Sequence, residues 1–306
     1  MTNRPRLTII SDEISQDLAE VTQFVREFRL PGIELRSIFG RAFKDLTSAD
    51  VATIAKTATD EGWRVFGCAT PVFKCDLDDA AAIREHLDIF RRSLDVACRL
   101  GSDFVRVFTF LRQSSAAGNR AALPRVAEHL AQLVEIARGM PVRIGVENEL
   151  SCIVATTEEL TPVFSKLDQP AIGIVWDPCN ILYLPDEPPP AWDGFAALAS
   201  RVIHVHVKDA VRRTRPGAAL RATSVPVGLG DVGWRSHLPE ILRCGYEGLF
   251  SLETHWRVTE LAEEELHLPS GHAFSHGGAE ASRVCLHNLV ALLEAQSWQP
   301  ADRAVH

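Results

Sequence analysis

The segment Arg-Val-Ile-His-Val-His-Val-Lys-Asp, residues 201–209, predicts a buried β-strand that ends at a polar site. Its β-branched residues favour an extended chain, and two opposite charges follow them. Side chains alternate along a strand, so His204 and His206 face one side while Val205 and Val207 face the other. One face of the strand therefore carries imidazole groups. They either donate to backbone carbonyls within the hydrophobic core or belong to a functional site.

Predicted strands and helices alternate along the rest of the chain. The strands are short apolar runs at residues 7–10, 33–35, 63–68, 104–108, 142–146, 171–176, 201–207 and 249–252. The helices show apolar residues at helical spacing, at residues 15–28, 48–61, 79–100, 120–138, 157–166, 192–199, 234–244 and 278–294. Strand–helix units of about 30 to 45 residues are typical of a parallel (β/α)8 barrel. We expect an α/β fold, a single TIM barrel domain over residues 1–306.

An open, doubly wound sheet is the alternative architecture. Such sheets carry a glycine-rich turn, G-x-G-x-x-G, after the first strand. This chain has Ser11, Asp12 and Glu13 at that place. The barrel is therefore favoured.

Composition limits the classes of partner. The net charge of −8 and the pI near 5.8 argue against a broadly basic protein that binds nucleic acid or a membrane surface. The seven cysteines form no C-x-x-C pair, which is typical of reduced thiols in a cytoplasmic protein. No apolar run approaches the length of a membrane span. We expect a cytoplasmic protein with a small-molecule partner, and we leave a homo-oligomer open.

Four polar residues stand at the ends of the last four predicted strands: Glu147, Asp177, His206 and Glu253. The carboxyl ends of parallel barrel strands meet at one rim, where such barrels carry their sites. Three carboxylates and an imidazole in one place repel one another unless a cation binds. The set suits a single divalent ion, Mn²⁺ or Mg²⁺ first, with Co²⁺ and Zn²⁺ as alternatives. Taken singly, each of the four is better explained as an exposed loop charge, and only the set together favours a site.

Five segments resemble signatures of the xylose isomerase-like TIM-barrel superfamily. They are Ile33-Glu34-Leu35-Arg36, Val146-Glu147-Asn148, Trp176-Asp177-Pro178-Cys179-Asn180, residues 204–209 and Ser251-Leu252-Glu253-Thr254-His255. That superfamily of sugar phosphate isomerases and epimerases also holds inosose dehydratases and the endonuclease IV type of DNA-repair nuclease. The resemblance implies that Glu147, Asp177, His206 and Glu253 are metal ligands. It also implies that Glu147 and Glu253 exchange protons with the substrate.

The chain departs from two members of that superfamily. Endonuclease IV relatives use additional histidines on the third and fourth strands, where this chain has residues 68–70 (Cys-Ala-Thr) and 107–109 (Val-Phe-Thr). In the ketose 3-epimerases a histidine lies three residues after the strand-six aspartate, and this chain has Asn180 there. An arginine six residues beyond the strand-seven histidine recurs in those epimerases, and Arg212 holds that place.

The expected function is that of a divalent-metal-dependent sugar isomerase or epimerase. It would act on a ketose or related hydroxy-ketone through a metal-stabilised enediolate, with Glu147 and Glu253 as paired acid and base. The same residues would serve a dehydratase of the inosose or dehydroshikimate type, in which hydroxide leaves from the next carbon. A non-catalytic sugar-binding barrel is a further alternative, because fold does not decide function.

Other polar residues are expected at the barrel mouth as substrate-binding groups: Asn180, Arg212, Lys208, Asp209, Glu34, Arg36 and Arg106. Ion pairs and solvated rim charges are the alternative explanation for them. His204 is interpreted as a supporting residue and His255 as an exposed loop histidine. The arginine-rich loop 212–221 is either a lid or a solvated loop, and the proline-rich segment 185–190 predicts a rigid excursion from the mouth.

Overall fold

Eight parallel strands form a nearly closed barrel with helices between them, a single (β/α)8 TIM barrel. The computed structural model describes residues 6–167, 170–184, 190, 192–213, 221–259 and 272–297. The strands are β1 (Arg6–Ile9), β2 (Gly32–Leu35), β3 (Ser37–Ile38), β4 (Arg41–Ala42), β5 (Arg64–Ala69), β6 (Phe104–Val107), β7 (Arg143–Glu147), β8 (Ile172–Trp176), β9 (Val202–Val207), β10 (Asp209–Arg213), β11 (Arg221–Val225) and β12 (Leu249–Leu252).

The barrel strands pair in the order β1-β12-β9-β8-β7-β6-β5-β2. A single parallel bridge between Ile10 and Glu34 joins β1 to β2 at the remaining edge. The late strands β7, β8, β9 and β12 are consecutive neighbours, with Glu147 paired to Val175 and Ser251 paired to His206. Their carboxyl ends therefore lie side by side at one rim.

The longer helices cover the outside of the barrel, and two of the short ones, at residues 179–182 and 272–275, lie at its mouth. The helices are α1 (Leu18–Phe28), α2 (Ser48–Glu61), α3 (Ala80–Leu100), α4 (Ala116–Ile136), α5 (Thr157–Phe164), α6 (Cys179–Leu182), α7 (Phe195–Leu198), α8 (Trp234–Arg243), α9 (His272–Ser275) and α10 (Gly278–Ser297). Helix α4 begins four residues before the predicted start at 120. The side chain of Ser115 accepts a hydrogen bond from the backbone N–H of Gly118 and caps the helix, so the small residues after it are helical. No described helix is both long and apolar enough to cross a membrane.

The loop expected after strand seven is partly regular structure. Strands β10 and β11 form an antiparallel hairpin in which Asp209 pairs with Val225 and Arg213 pairs with Arg221. The arginines and alanines here show no apolar alternation, so the pattern that predicts strands does not reveal this pair. Residues 214–220 lie outside the described part of the chain, as do 185–189 of the proline-rich segment.

An aromatic layer fills the barrel beneath the rim. A Cβ atom at Gly67 would lie 2.3 Å from the ring of Phe104, and one at Gly145 would lie 3.1 Å from it. Glycines on β5 and β7 therefore leave the space that Phe104 on β6 occupies. The ring of His204 packs against the ring of Phe104 at a centroid distance of 4.6 Å.

Candidate metal centre

The structure brings the four predicted ligands together at the rim. Nδ1 of His206 lies 3.4 Å from Oε1 of Glu147, 3.6 Å from Oε2 of Glu253 and 3.9 Å from Oδ2 of Asp177. All four side chains are buried, with no more than 3% of any residue exposed. Strands β7, β8, β9 and β12 supply them from successive positions around the barrel, which is why residues far apart in sequence converge.

Two atoms of this set point to a cation. Among the described residues, neither His206 Nδ1 nor Asp177 Oδ2 has a hydrogen-bond partner, although both atoms are buried. Nζ of Lys208 is 2.7 Å from Asp177 Oδ2, which makes an ion pair without hydrogen-bond geometry. Buried polar atoms without partners cost free energy. One imidazole nitrogen and three carboxylate oxygens lie close enough together to hold a divalent ion and offer the ligand types that Mg²⁺, Mn²⁺ and Zn²⁺ accept.

Glu34 lies beneath this set rather than in the mouth, which corrects the expectation that it contacts substrate. Its carboxylate is fully buried and is bound by Nε2 of His204 at 2.9 Å and Nε2 of His206 at 3.0 Å. Burial raises the pKa of Glu34, but the two histidines outweigh it and hold the pKa well below its usual value. An ionised carboxylate only accepts, so both Nε2 atoms donate, and Nδ1 is the nitrogen of His206 that faces the other three carboxylates.

Glu147 is held on both of its oxygens. Arg106 donates from Nη1 to Oε2 at 2.5 Å, and Asn180 donates from Nδ2 to Oε1 at 3.2 Å. Burial raises the pKa of Glu147, but Arg106 and His206 outweigh it and lower the pKa to about 2. Glu147 is therefore ionised at neutral pH and can act as a ligand or a base.

Glu253 is surrounded by cations. Arg36 donates from Nη1 to Oε1 at 2.6 Å, and Lys208 donates from Nζ to Oε2 at 2.7 Å. Burial raises the pKa of Glu253, but Lys208 and His255 outweigh it and hold the pKa well below its usual value. The guanidinium of Arg36 also binds Asp12 and Glu13, so its donors are used within the protein.

A cavity of about 620 Å³ opens above the site. Six of the predicted residues line it: Arg36, Arg106, Glu147, Asn180, Lys208 and Glu253. This places Asn180, Lys208, Arg36 and Arg106 where a ligand can reach them.

Asp209 and Arg212 do not line the cavity, in contrast to the sequence-based expectation. The carboxylate of Asp209 accepts hydrogen bonds from the backbone N–H groups of Gly228, Gly230 and Val232, and so anchors the loop before α8. Arg212 donates from Nη2 to the carbonyl of Leu184. Both residues belong to β10, which leaves the barrel mouth as one arm of the hairpin.

Sequence reasoning missed three groups at the mouth. Asp12 and Glu13 are fully buried and bind Arg36. His255, interpreted as an exposed loop residue, lines the cavity with its Nε2 3.3 Å from Oε1 of Glu253. Its ring stacks on Phe274 at a centroid distance of 4.2 Å. Their positions just after β1 and β12 were the available signal, because strand ends mark the site in this architecture.

Solved structures with the same fold carry metals and a sugar. IolI, solved with bound zinc, has a TM-score of 0.74 and 15% identity and covers 95% of this chain and 98% of its own. A xylose isomerase-like TIM barrel protein from Mycobacterium smegmatis, in complex with magnesium, has a TM-score of 0.64 and 16% identity. The match covers 94% of this chain and 98% of that protein. D-allulose 3-epimerase from Methylomonas sp., in complex with D-allulose, has a TM-score of 0.65 and 14% identity. The match covers 93% of this chain and 97% of that protein.

These identities establish the fold alone. No curated protein matches the sequence significantly. A model of the family described as xylose isomerase-like TIM barrel matches residues 23–274, which is most of the chain. The chain therefore belongs to the xylose isomerase-like TIM barrel family.

Proposed function

We propose that this protein is a divalent-metal-dependent isomerase or epimerase that acts on a ketose or related hydroxy-ketone. The observation that carries the proposal is the convergence of His206 Nδ1 with one oxygen each from Glu147, Asp177 and Glu253. Nδ1 and the Asp177 oxygen have no hydrogen-bond partner in the described structure. Mn²⁺ is the first choice of metal, and a zinc-bound and a magnesium-bound neighbour support a divalent ion in general.

When bound, the cation would polarise the carbonyl and hydroxyl oxygens of the substrate and stabilise the negative charge that develops when the α-proton leaves. Glu147 and Glu253 stand at the two ends of the row β7, β8, β9 and β12, so they flank the other two ligands. Glu147 would remove the α-proton, and Glu253 would pass a proton from Lys208, which donates to its Oε2, to the opposite side of the substrate. Asn180 and Arg106 hold Glu147 in position for this role, while Arg36 and Lys208 hold Glu253.

Proton exchange in deuterated water tests this proposal. The protein, loaded with Mn²⁺, is incubated with D-fructose, D-tagatose and D-allulose, and loss of the α-proton signal is followed by NMR. Glu147→Gln and Glu253→Gln should each lower the exchange rate by about 100-fold or more, because each removes one acid–base group. Glu149→Gln is the matched control, since Glu149 lines the same cavity outside the ligand set. The proposal fails if metal binds and no ketose exchanges, or if both variants exchange like the wild type.

Dehydration is the second candidate function, and Lys208 favours it. Its ammonium group is buried, lines the cavity and lies 2.7 Å from both Asp177 and Glu253. Burial lowers the pKa of Lys208, but the two carboxylates outweigh it and hold the pKa well above its usual value. A protonated amine here can donate to a departing hydroxyl group. Ultraviolet absorbance of a conjugated enone, abolished in Lys208→Met, would identify a dehydratase, whereas exchange without an enone identifies an epimerase.

A further inference from the structure

We propose that Arg106 and Lys74, which lie against the ring of Phe108, bind a carboxylate of the substrate. The substrate is then a hydroxy-keto acid and not a neutral ketose. This inference rests on the proposed function for the hydroxy-ketone part of the molecule. It adds a second point of recognition on the cavity wall, named here the Arg106–Lys74 subsite.

Arg106 has N–H donors on the cavity wall that are not all used within the protein. Its side chain is only 7% exposed and lines the cavity. Nη1 binds Glu147, while Nε is buried and has no hydrogen-bond partner in the described part of the chain. Arg36, which also lines the cavity, differs because its N–H groups donate hydrogen bonds to Asp12, Glu13 and Glu253. A buried guanidinium with a free edge is best satisfied by a planar anion, which can accept two parallel hydrogen bonds.

Lys74 supplies a second cation at the same ring. Its Nζ lies 4.8 Å from the centroid of Phe108, and Cζ of Arg106 lies 4.2 Å from the same centroid. The aromatic ring attracts both cations and gives them a common platform. Nζ of Lys74 is 3.3 Å from Oε1 of Glu149, and an ammonium group has three donors, so it retains donors for a ligand.

The charge of the subsite favours a carboxylate over a phosphate. Glu147 and Glu149 each lie against one of the two cations, so the subsite carries little net charge and accommodates a monoanion at lower electrostatic cost than a dianion. TIM barrels commonly bind phosphate through the loops after the last two strands. In this chain the N–H groups of Gly228 and Gly230 in such a loop donate to Asp209, whose carboxylate takes the position of an external anion.

Glu147 connects the subsite to the metal centre. Its Oε1 faces Nδ1 of His206, and its Oε2 accepts from Arg106. An anion bound at Arg106 therefore lies next to a proposed ligand and base. The substrate carboxylate would fix which face of the hydroxy-ketone meets Glu147.

Binding of matched ketoses and keto acids tests the subsite. Calorimetry on the Mn²⁺-loaded protein compares D-fructose, D-fructuronate and D-fructose 6-phosphate, which differ only at C6, and then the same three derivatives of D-tagatose. The acid of at least one series should bind about tenfold more tightly than its neutral partner, as expected for a charge-assisted contact. Lys74→Gln should remove most of that preference. Lys44→Gln is the matched control, because Lys44 lines the same cavity, is equally exposed at 39% and is paired to Asp45.

Each other outcome overturns the inference. A phosphate ester that binds most tightly would make the ligand group a phosphate. Equal affinity for acids and neutral ketoses, an equal effect of Lys74→Gln and Lys44→Gln, or no binding of either acid would remove the carboxylate subsite. Proton exchange in the neutral ketoses would leave the proposed function intact in those cases. Tight binding of an acid without exchange would keep the subsite and contradict the proposed function.

Discussion

At the scale of single residues, Glu34 decides which nitrogen of His206 faces the proposed metal position. Its carboxylate is shared by His204 and His206, so both Nε2 atoms must carry the proton. The ring of His206 then turns its other nitrogen, Nδ1, to Glu147, Asp177 and Glu253. Burial lowers the pKa of His206, but Glu34 and Glu147 outweigh it and hold the pKa well above its usual value, so a metal ion would bind Nδ1 in exchange for its proton. A ligand histidine whose other nitrogen binds a carboxylate is a common arrangement in metal sites.

Replacing Glu34 with Gln tests this role. Both Nε2 atoms lie within 3.0 Å of the same oxygen, Oε2, and an uncharged amide oxygen at that place is a weaker acceptor for the two N–H groups. His206 is then held less firmly in the orientation that turns Nδ1 to the metal position. We expect the affinity for Mn²⁺ to fall by about 10- to 100-fold, measured by calorimetry. Glu149→Gln removes a carboxylate from the same cavity without touching a histidine, so it should bind Mn²⁺ like the wild type. Equal affinities for Glu34→Gln and the wild type would contradict the assignment.

At the scale of secondary-structure elements, His237 joins helix α8 to strand β8. Its Nε2 accepts a hydrogen bond from Nε1 of Trp176 at 2.9 Å, and Phe195 of α7 meets its ring edge-on at 5.1 Å. Burial lowers the pKa of His237 to about 3. The histidine therefore stays neutral in the folded protein and acts as an acceptor between aromatic side chains.

This burial predicts a pH dependence of folding. Below the ordinary histidine pKa of 6.5 the unfolded chain binds a proton that the folded protein excludes until about pH 3. The free energy of unfolding should therefore decrease as pH falls through this window, by about 1.4 kcal/mol per pH unit from this residue. His237→Gln keeps an acceptor for Trp176 and does not titrate, so its slope should be shallower by that amount. Urea unfolding between pH 6.5 and 4.5 measures both slopes, and parallel slopes would exclude the effect.

The hairpin β10–β11 shows how an element can redirect a predicted site residue. Asp209 follows the histidine strand directly and looks like a rim carboxylate in sequence. In the structure it is nearly fully buried and binds the N–H groups of Gly228, Gly230 and Val232. The same carboxylate that was expected to bind substrate instead holds the loop that leads into α8.

At the scale of the whole molecule, the proposed ligands come from four strands, so an unfolded chain does not hold them together. A divalent ion that binds only the folded state should raise the free energy of unfolding by about 2.7 kcal/mol at a free concentration of 100 times its Kd. Chemical denaturation with Mn²⁺ or Mg²⁺, and with EDTA, measures this gain. These ions are preferable to Zn²⁺ because zinc also binds cysteines of the unfolded chain.

Asp177→Ala is the corresponding control, since it removes one carboxylate of the set. The variant should lose most of the metal-dependent stabilisation while it keeps a cooperative unfolding transition. A wild-type protein that does not respond to metal, or a variant that responds equally, would contradict the four-residue site.

The barrel and the positions of the proposed ligands could be predicted from the order of residues along the chain. Strand and helix patterns are local, and helix 48–61 and strand 249–252 have the predicted bounds. The ligands could be named because all parallel strands end at one rim, so the last polar residue of each strand is brought there by topology alone. Asn180, Lys208, Arg36 and Arg106 followed from the same reasoning and line the cavity.

Contacts that form only in the folded chain settle which polar groups face the cavity and which bind other groups inside the protein. Glu34 binds His206 across 172 residues of sequence, and Arg36 binds Glu253 across 217. A charge near the rim looks the same in sequence whether its partner is a substrate, a backbone N–H or another side chain. Hydrogen bonds across the barrel make that choice, because a buried charge must be paired and the partners meet only when the barrel closes.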